Sequence, residues 1–131
     1  MNEEKQQEMI FKFSMFEQQI QQIQQQLQAI EQGILEMTSL SIGLDELVNA
    51  KGKEILSPIG RGIFVKALVN SEDLTVDIGG KIFVKKNIPE TKKIINEQIK
   101  KLEEIKEELN NSSENIKKDL TKLVEEIQKE D

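Results

Sequence analysis

Glu54–Lys86 reads EILSPIGRGIFVKALVNSEDLTVDIGGKIFVKK, and it is the one part of this 131-residue chain that does not read as helix. Ile63, Val65, Ala67 and Val69 alternate with Phe64, Lys66, Leu68 and Asn70, the period-two pattern of a strand. Leu74, Val76 and Ile78 alternate with Thr75 and Asp77, and Ile82 and Val84 with Phe83 and Lys85. Turn residues separate these runs: Pro58-Ile59-Gly60-Arg61-Gly62, then Asn70-Ser71-Glu72-Asp73, then Gly79-Gly80-Lys81. With a short strand over Glu54–Ser57, the block reads as two β-hairpins in series. Apolar residues lie on both faces of the strands, which suits a sheet covered on both sides. A block of about 33 residues hides too little surface to bury such a sheet alone. Its free edges also invite pairing with other chains. The block is therefore expected to complete itself by assembly with copies or homologues, as an oligomerisation module.

The composition around it is not that of an ordinary globule. There is no Cys, Trp, Tyr or His, there are five Phe, and 32% of the residues are charged. Glu, Lys, Gln, Ile and Leu dominate outside the strand block, a mixture that goes with long helices or a coiled coil. The net charge of −6 disfavours a phosphate backbone as partner, so no nucleic acid is expected. No apolar run approaches the roughly 20 residues that span a bilayer, so no membrane partner is expected either. The first residues, MNEEKQQ, are polar and slightly acidic, unlike the start of a signal peptide. Together with the absence of cysteine this gives a cytoplasmic expectation.

Before the block, apolar residues recur at Met9, Phe13, Phe16, Ile20, Ile23, Leu27, Ile30, Ile34 and Met37, with alternating steps of four and three. Four heptads without an error predict a coiled-coil helix over 5–51. Continuing the pattern brings Ser41, Leu44 and Val48 onto the seam, and Gly52 fits the position just past the helix end. Glutamines fill the outer faces from Gln18 to Gln28, which reads as a solvated helix surface. Gly33 and Gly43 are either the place of a bend or substitutions that a long helix tolerates. After the block, Asn87 and Pro89 predict a helix start and a second helix over 89–129. Its apolar positions are Ile95, Ile99, Leu102, Ile105 and Leu109, then Ile116, Leu120, Leu123 and Ile127, with an apparent break of phase at Asn110–Ser113.

The two arms match in length, roughly 60–70 Å each at the rise of an α-helix. Because the strand block returns the chain, they can pair antiparallel, with Ile30 near Leu109, Ile23 near Ile116 and Phe16 near Leu123. The expected architecture is α+β: a long antiparallel helical coiled coil, two β-hairpins between its helices, and an apolar tip at the far end. That tip holds Met9–Phe16, in which Ile10, Phe11 and Met15 fall off the seam. They form either an exposed patch of adaptable side chains or a face covered by another helix of a larger bundle. The pattern leaves both open.

No catalytic constellation is present. Without His or Cys there is no imidazole base, thiolate or ordinary zinc site, and no metal or cofactor is expected. Gly60-Arg61-Gly62 and Gly79-Gly80 read as hairpin turns, since neither leads into a helix N-terminus or a P-loop lysine. The chain is not expected to be an enzyme or to bind ATP.

The order helix, two hairpins, helix, with Pro58–Ala67 and Leu74–Lys86 as its most specific parts, resembles the α subunit of prefoldin in its archaeal form. The resemblance covers essentially the whole chain, 1–131, as one domain with its oligomerisation block at 54–86. It implies a hexamer of two α and four β subunits whose hairpins assemble into an inter-subunit β-barrel platform. It also implies ATP-independent capture of non-native client proteins at the coiled-coil tips and delivery to a group II chaperonin. The barrel role then falls on Ile63, Val65, Ala67, Val69, Leu74, Val76, Ile78, Ile82 and Val84. Client contact falls on Ile10, Phe11, Phe13, Met15, Phe16, Leu123, Val124 and Ile127. A structural filament or scaffold built through the hairpins, by an α-like prefoldin, is the competing expectation.

Overall fold

The computed structural model describes residues 3–129. In chain order they form α1 (Glu3–Asp45), β1 (Glu54–Gly60), β2 (Ile63–Leu68), β3 (Leu74–Gly79), β4 (Ile82–Lys86) and α2 (Ile88–Lys129). The chain divides into two compact units. One is built from α1 up to Ile34 and α2 from Lys101 onward, and the other spans Leu35–Lys100.

In the first unit the two helices run antiparallel. A Cβ on Gly33 would sit 3.5 Å from Leu102 Cδ1, and Lys106 Nζ lies 3.6 Å from Glu31 Oε1. This is the expected register to within one helical turn. Ile23 and Leu123 are buried in the seam, and Phe13, Phe16, Ile20, Leu27 and Ile30 are half-buried along it.

The expected break at Asn110–Ser113 does not occur. Leu102, Lys106, Leu109, Ser113, Ile116, Leu120, Leu123 and Ile127 are all half-buried or buried, and they follow one unbroken sequence of four- and three-residue steps. Ser113 is only 7% exposed, whereas Ile105 is exposed. Polar residues had hidden the phase. A serine is small enough for a seam position, and a lysine there can lay its stem along the partner helix while its head reaches Glu31.

Helical hydrogen bonding runs through Gly33 and Gly43 without interruption. Gly33 faces Leu102 at an ordinary contact distance for an added methyl group. Gly33→Ala is therefore expected to stabilise the chain by about 1 kcal/mol through helix propensity. In thermal unfolding followed by circular dichroism, that is a rise of a few degrees in Tm.

The second unit has its own core. Leu44, Ile88 and Ile95 are buried, with Met37, Leu47, Leu74 and Ile99 packed against them. Lys92 forms an ion pair with Asp45 here. α1 ends at Asp45, short of residue 51, because its last turns tighten. Glu46, Leu47 and Val48 donate to carbonyls three residues back instead of four. The tightening turns Leu47 and Ala50 inward and leaves Val48 exposed, against the expected seam. Asn49, at φ 59°, ends the segment in the role expected of Gly52, and its N–H donates to the Glu72 carboxylate. Gly52 instead takes φ 84° on the way into the sheet, donating to the Val69 carbonyl at 2.7 Å. α2 starts at Ile88, capped by Asn87, whose Oδ1 accepts from the Glu90 N–H at 2.8 Å.

The four strands make two separate antiparallel hairpins, β1 with β2 and β3 with β4. β1 reaches Gly60, beyond the expected end at Ser57, because Pro58 stays in the ladder opposite Phe64. Both hairpins use one design. Ile59–Lys66 (IGRGIFVK) and Ile78–Lys85 (IGGKIFVK) match at six of eight positions. Pairing steps from Pro58↔Phe64 to Gly60↔Ile63 and from Asp77↔Phe83 to Gly79↔Ile82, so Ile59 and Ile78 are bulged out. The two-residue loops Arg61–Gly62 and Gly80–Lys81 all have positive φ, between 50° and 79°. This is the type I′ geometry, whose twist matches that of the strands it joins.

Candidate functional site

Cross-strand partners share a face of a sheet, and successive residues alternate between faces. The ladder therefore sorts each hairpin into an inner and an outer face. Ile55, Val65 and Ala67 line one face of the first hairpin, and Leu74, Val76 and Val84 the corresponding face of the second. Ile63 and Ile82 fall on the same faces, Val69 continues the first of them, and Ile78 is the bulged residue without a ladder partner. Leu74 packs against the core of the second unit, and none of the nine is fully buried. Ile63, Val65, Ile78 and Ile82 are exposed, and Ala67, Val69, Leu74, Val76 and Val84 are half-buried. Alternation alone missed Leu56, Ile59, Phe64, Leu68 and Phe83, all exposed. The two-face apolarity of the block was the signal that pointed to them.

At the other named surface, in the first unit, the eight residues separate into two groups. Ile10 and Phe11 are exposed, Phe11 at 66%, and Met15 stands beside them. Among the described residues no helix covers them. Phe13 and Phe16 are half-buried in the seam, as are Val124 and Ile127. Leu123 is only 6% exposed and belongs to the interior of the helix pair. Met9 and Leu123 line a cleft whose walls are charged, by Lys12, Glu8 and Glu126 among others. Among the described residues no His, Cys, Asp or Glu side chains gather in a metal-holding group, and no helix is long and apolar enough to cross a membrane.

The chain thus carries two hairpins with largely exposed apolar strands between two long helices. Residues 16–130 match the family model for the prefoldin subunit. The chain is 30% identical over 92 residues to prefoldin subunit alpha of Methanosphaera stadtmanae, covering 70% of this chain and 67% of that one. It is 32% identical over 111 residues to prefoldin subunit alpha of Methanococcus maripaludis strain C5, covering 84% and 75%. A filamentous PFD from Methanocaldococcus jannaschii, solved by cryo-electron microscopy, has the same fold. Its TM-score is 0.78 at 21% identity, over 88% of this chain and 97% of that chain. The chain belongs to the prefoldin subunit family. Prefoldin subunits are chaperones, not enzymes, and work as parts of oligomers.

Proposed function

We propose that this chain is the α subunit of a cytoplasmic, ATP-independent chaperone. Residues 1–131 act as one prefoldin-like domain that assembles with β subunits, two α with four β, through a shared β-barrel. Its tip captures unfolded proteins and delivers them to a group II chaperonin. The observation that carries the reading is the pairing of two kinds of uncovered apolar surface. One is a repeated strand design with many apolar side chains exposed, and the other is a cluster of aromatic, branched and thioether side chains off the helix seam. An unfolded client has no fixed shape to complement. Adaptable side chains repeated on several arms suit it, with avidity supplying the affinity.

The test uses the full chain reconstituted with β subunits and a thermally unfolding client, without nucleotide. Ile10→Ser, Phe11→Ser and Met15→Ser together are expected to cut aggregation suppression several-fold and leave the mass of the complex unchanged. Undiminished suppression would move client contact away from these residues.

A second reading, a filament or scaffold built through the hairpins, has one observation in its favour: the cryo-electron microscopy neighbour is described as filamentous. The absolute mass of the purified chain, alone and with β subunits, separates the two. A discrete complex in a two-to-four ratio supports the chaperone. Growth of the chain alone that rises with concentration and ignores β subunits supports the filament.

A further inference from the structure

Two exposed apolar side chains of the tip, Ile10 and Phe11, stand in acidic surroundings. On an α-helix a residue is flanked by those three, four and seven positions away. For Phe11 these include Glu4 and Glu8, and for Ile10 they include Glu3 and Glu17. No lysine or arginine of α1 holds such a position next to either residue. The two bases at this end of α1, Lys5 and Lys12, are set toward the seam, where they wall the cleft over Met9 and Leu123 together with Glu126. Of the patch, Lys12 borders Met15 alone, three positions on.

Among the described residues none of these four glutamates is in an ion pair. Glu3 and Glu4 sit in the first turn of α1, where negative charge also offsets the helix dipole. Glu8 and Glu17 lie beyond the reach of that effect. Glu8 has both lysines as helical neighbours, but Glu17 has no base among its neighbours on α1. Phe11 joins the two kinds of surface. With Glu4, Gln7 and Glu8 it lines a shallow hollow on the side of α1 away from the seam. An aromatic face beside carboxylates suits a lysine or arginine, which lays its stem and charge on the ring while the acid attracts its head. An acidic segment of the same apolarity meets like charge there.

We propose that the tip selects its clients by charge as well as by apolarity. Its preferred ligand is an unfolded segment in which lysine or arginine lies within a few residues of aromatic or branched apolar side chains. The apolar part seats on Ile10 and Phe11, and the basic part is held by Glu3, Glu4, Glu8 and Glu17. In a folded protein the apolar members of such a segment are mostly covered, so the combination is presented by chains that have lost their structure. The inference rests on the client-capture reading proposed above and adds the class of client that this tip takes.

The test uses the full chain assembled with β subunits and two fluorescent, unstructured peptides. They share every apolar residue, with lysines between them in one and glutamates in the other. Fluorescence anisotropy should give a Kd for the basic peptide about tenfold below that for the acidic one. Between about 0.1 M and about 1 M salt the screening length falls from roughly 10 Å to roughly 3 Å, and the difference should shrink to about twofold. Glu3→Gln, Glu4→Gln and Glu17→Gln together should bring the same convergence at low salt, with helical content unchanged by circular dichroism. The β arms are the same in both complexes, so the change from parent to variant belongs to this chain. Equal binding of the two peptides by the parent, or a preference that the variant keeps, overturns the proposal and leaves client capture standing. A variant that keeps the preference and loses binding to a group II chaperonin assigns the acids to delivery and overturns it too. A complex that binds neither peptide defeats the capture reading as well.

Discussion

With Asp in place of both Ile63 and Ile82, the chain is expected to keep its helices and lose its partners. The two isoleucines are equivalent positions of the hairpin repeat, each the first strand residue after its turn. Both are exposed in the single chain, so nothing within it depends on them for packing. The ladder partner of each is a glycine, Gly60 or Gly79, so an introduced carboxylate meets no cross-strand side chain. In water the change costs little. Inside a barrel closed by several chains, each carboxylate would be desolvated without a partner, at a cost of several kcal/mol per site. Two sites per chain place the loss above about 3 kcal/mol per subunit contact, more than a hundredfold in affinity. Light scattering should show the mass of a free chain where the parent gives a complex with β subunits, and far-ultraviolet circular dichroism should be unaltered. A complex of undiminished mass would mean that the strands assemble through their outer faces only.

The contrast between that result and what the sequence reveals comes down to what alternation can express. Period two located β2, β3 and β4, and the heptads located both helices, because burial of one face imposes a period on the residues. Boundaries set by hydrogen bonding were not legible in this way. Val48 continues the heptad of α1, but three-residue hydrogen bonds at its end rotate Leu47 and Ala50 inward instead. Ser113 and Lys106 lie on the seam of α2 and are polar, so counting apolar residues finds a break where the helix has none. The strand bulges at Ile59 and Ile78 follow from two-residue turns with positive φ, and Arg61 and Lys81 give no hint of that conformation by residue type. The repeat that contains them was present in plain letters, IGRGIFVK and IGGKIFVK, but strand by strand reading does not compare segments. At the tip the heptad placed Phe13 and Phe16 on the seam and Ile10, Phe11 and Met15 off it, which is where the structure has them. It could not decide whether an off-seam residue is covered, because that depends on which helices exist around it.

Leu123 and Phe11 provide the second large effect, as a pair with opposite consequences. Both were candidates for client contact, and the structure separates them by burial, 6% against 66% exposed. Leu123→Ala removes methyl groups from the closed seam and leaves space that two rigid helices cannot collapse to fill. The expected loss is about 2–4 kcal/mol. For a chain of this size that lowers Tm by roughly 10 °C. Phe11→Ala removes a side chain already in water, and its effect on stability should stay within about 0.5 kcal/mol. The order reverses for function. Held well below both melting points, in complex with β subunits, the Leu123→Ala chain is expected to suppress client aggregation as the parent does, and the Phe11→Ala chain less well. If Leu123→Ala lost suppression while the helix pair stayed folded, the seam itself would have to open to clients. The tip would then work by parting its two helices rather than through the side chains it already exposes.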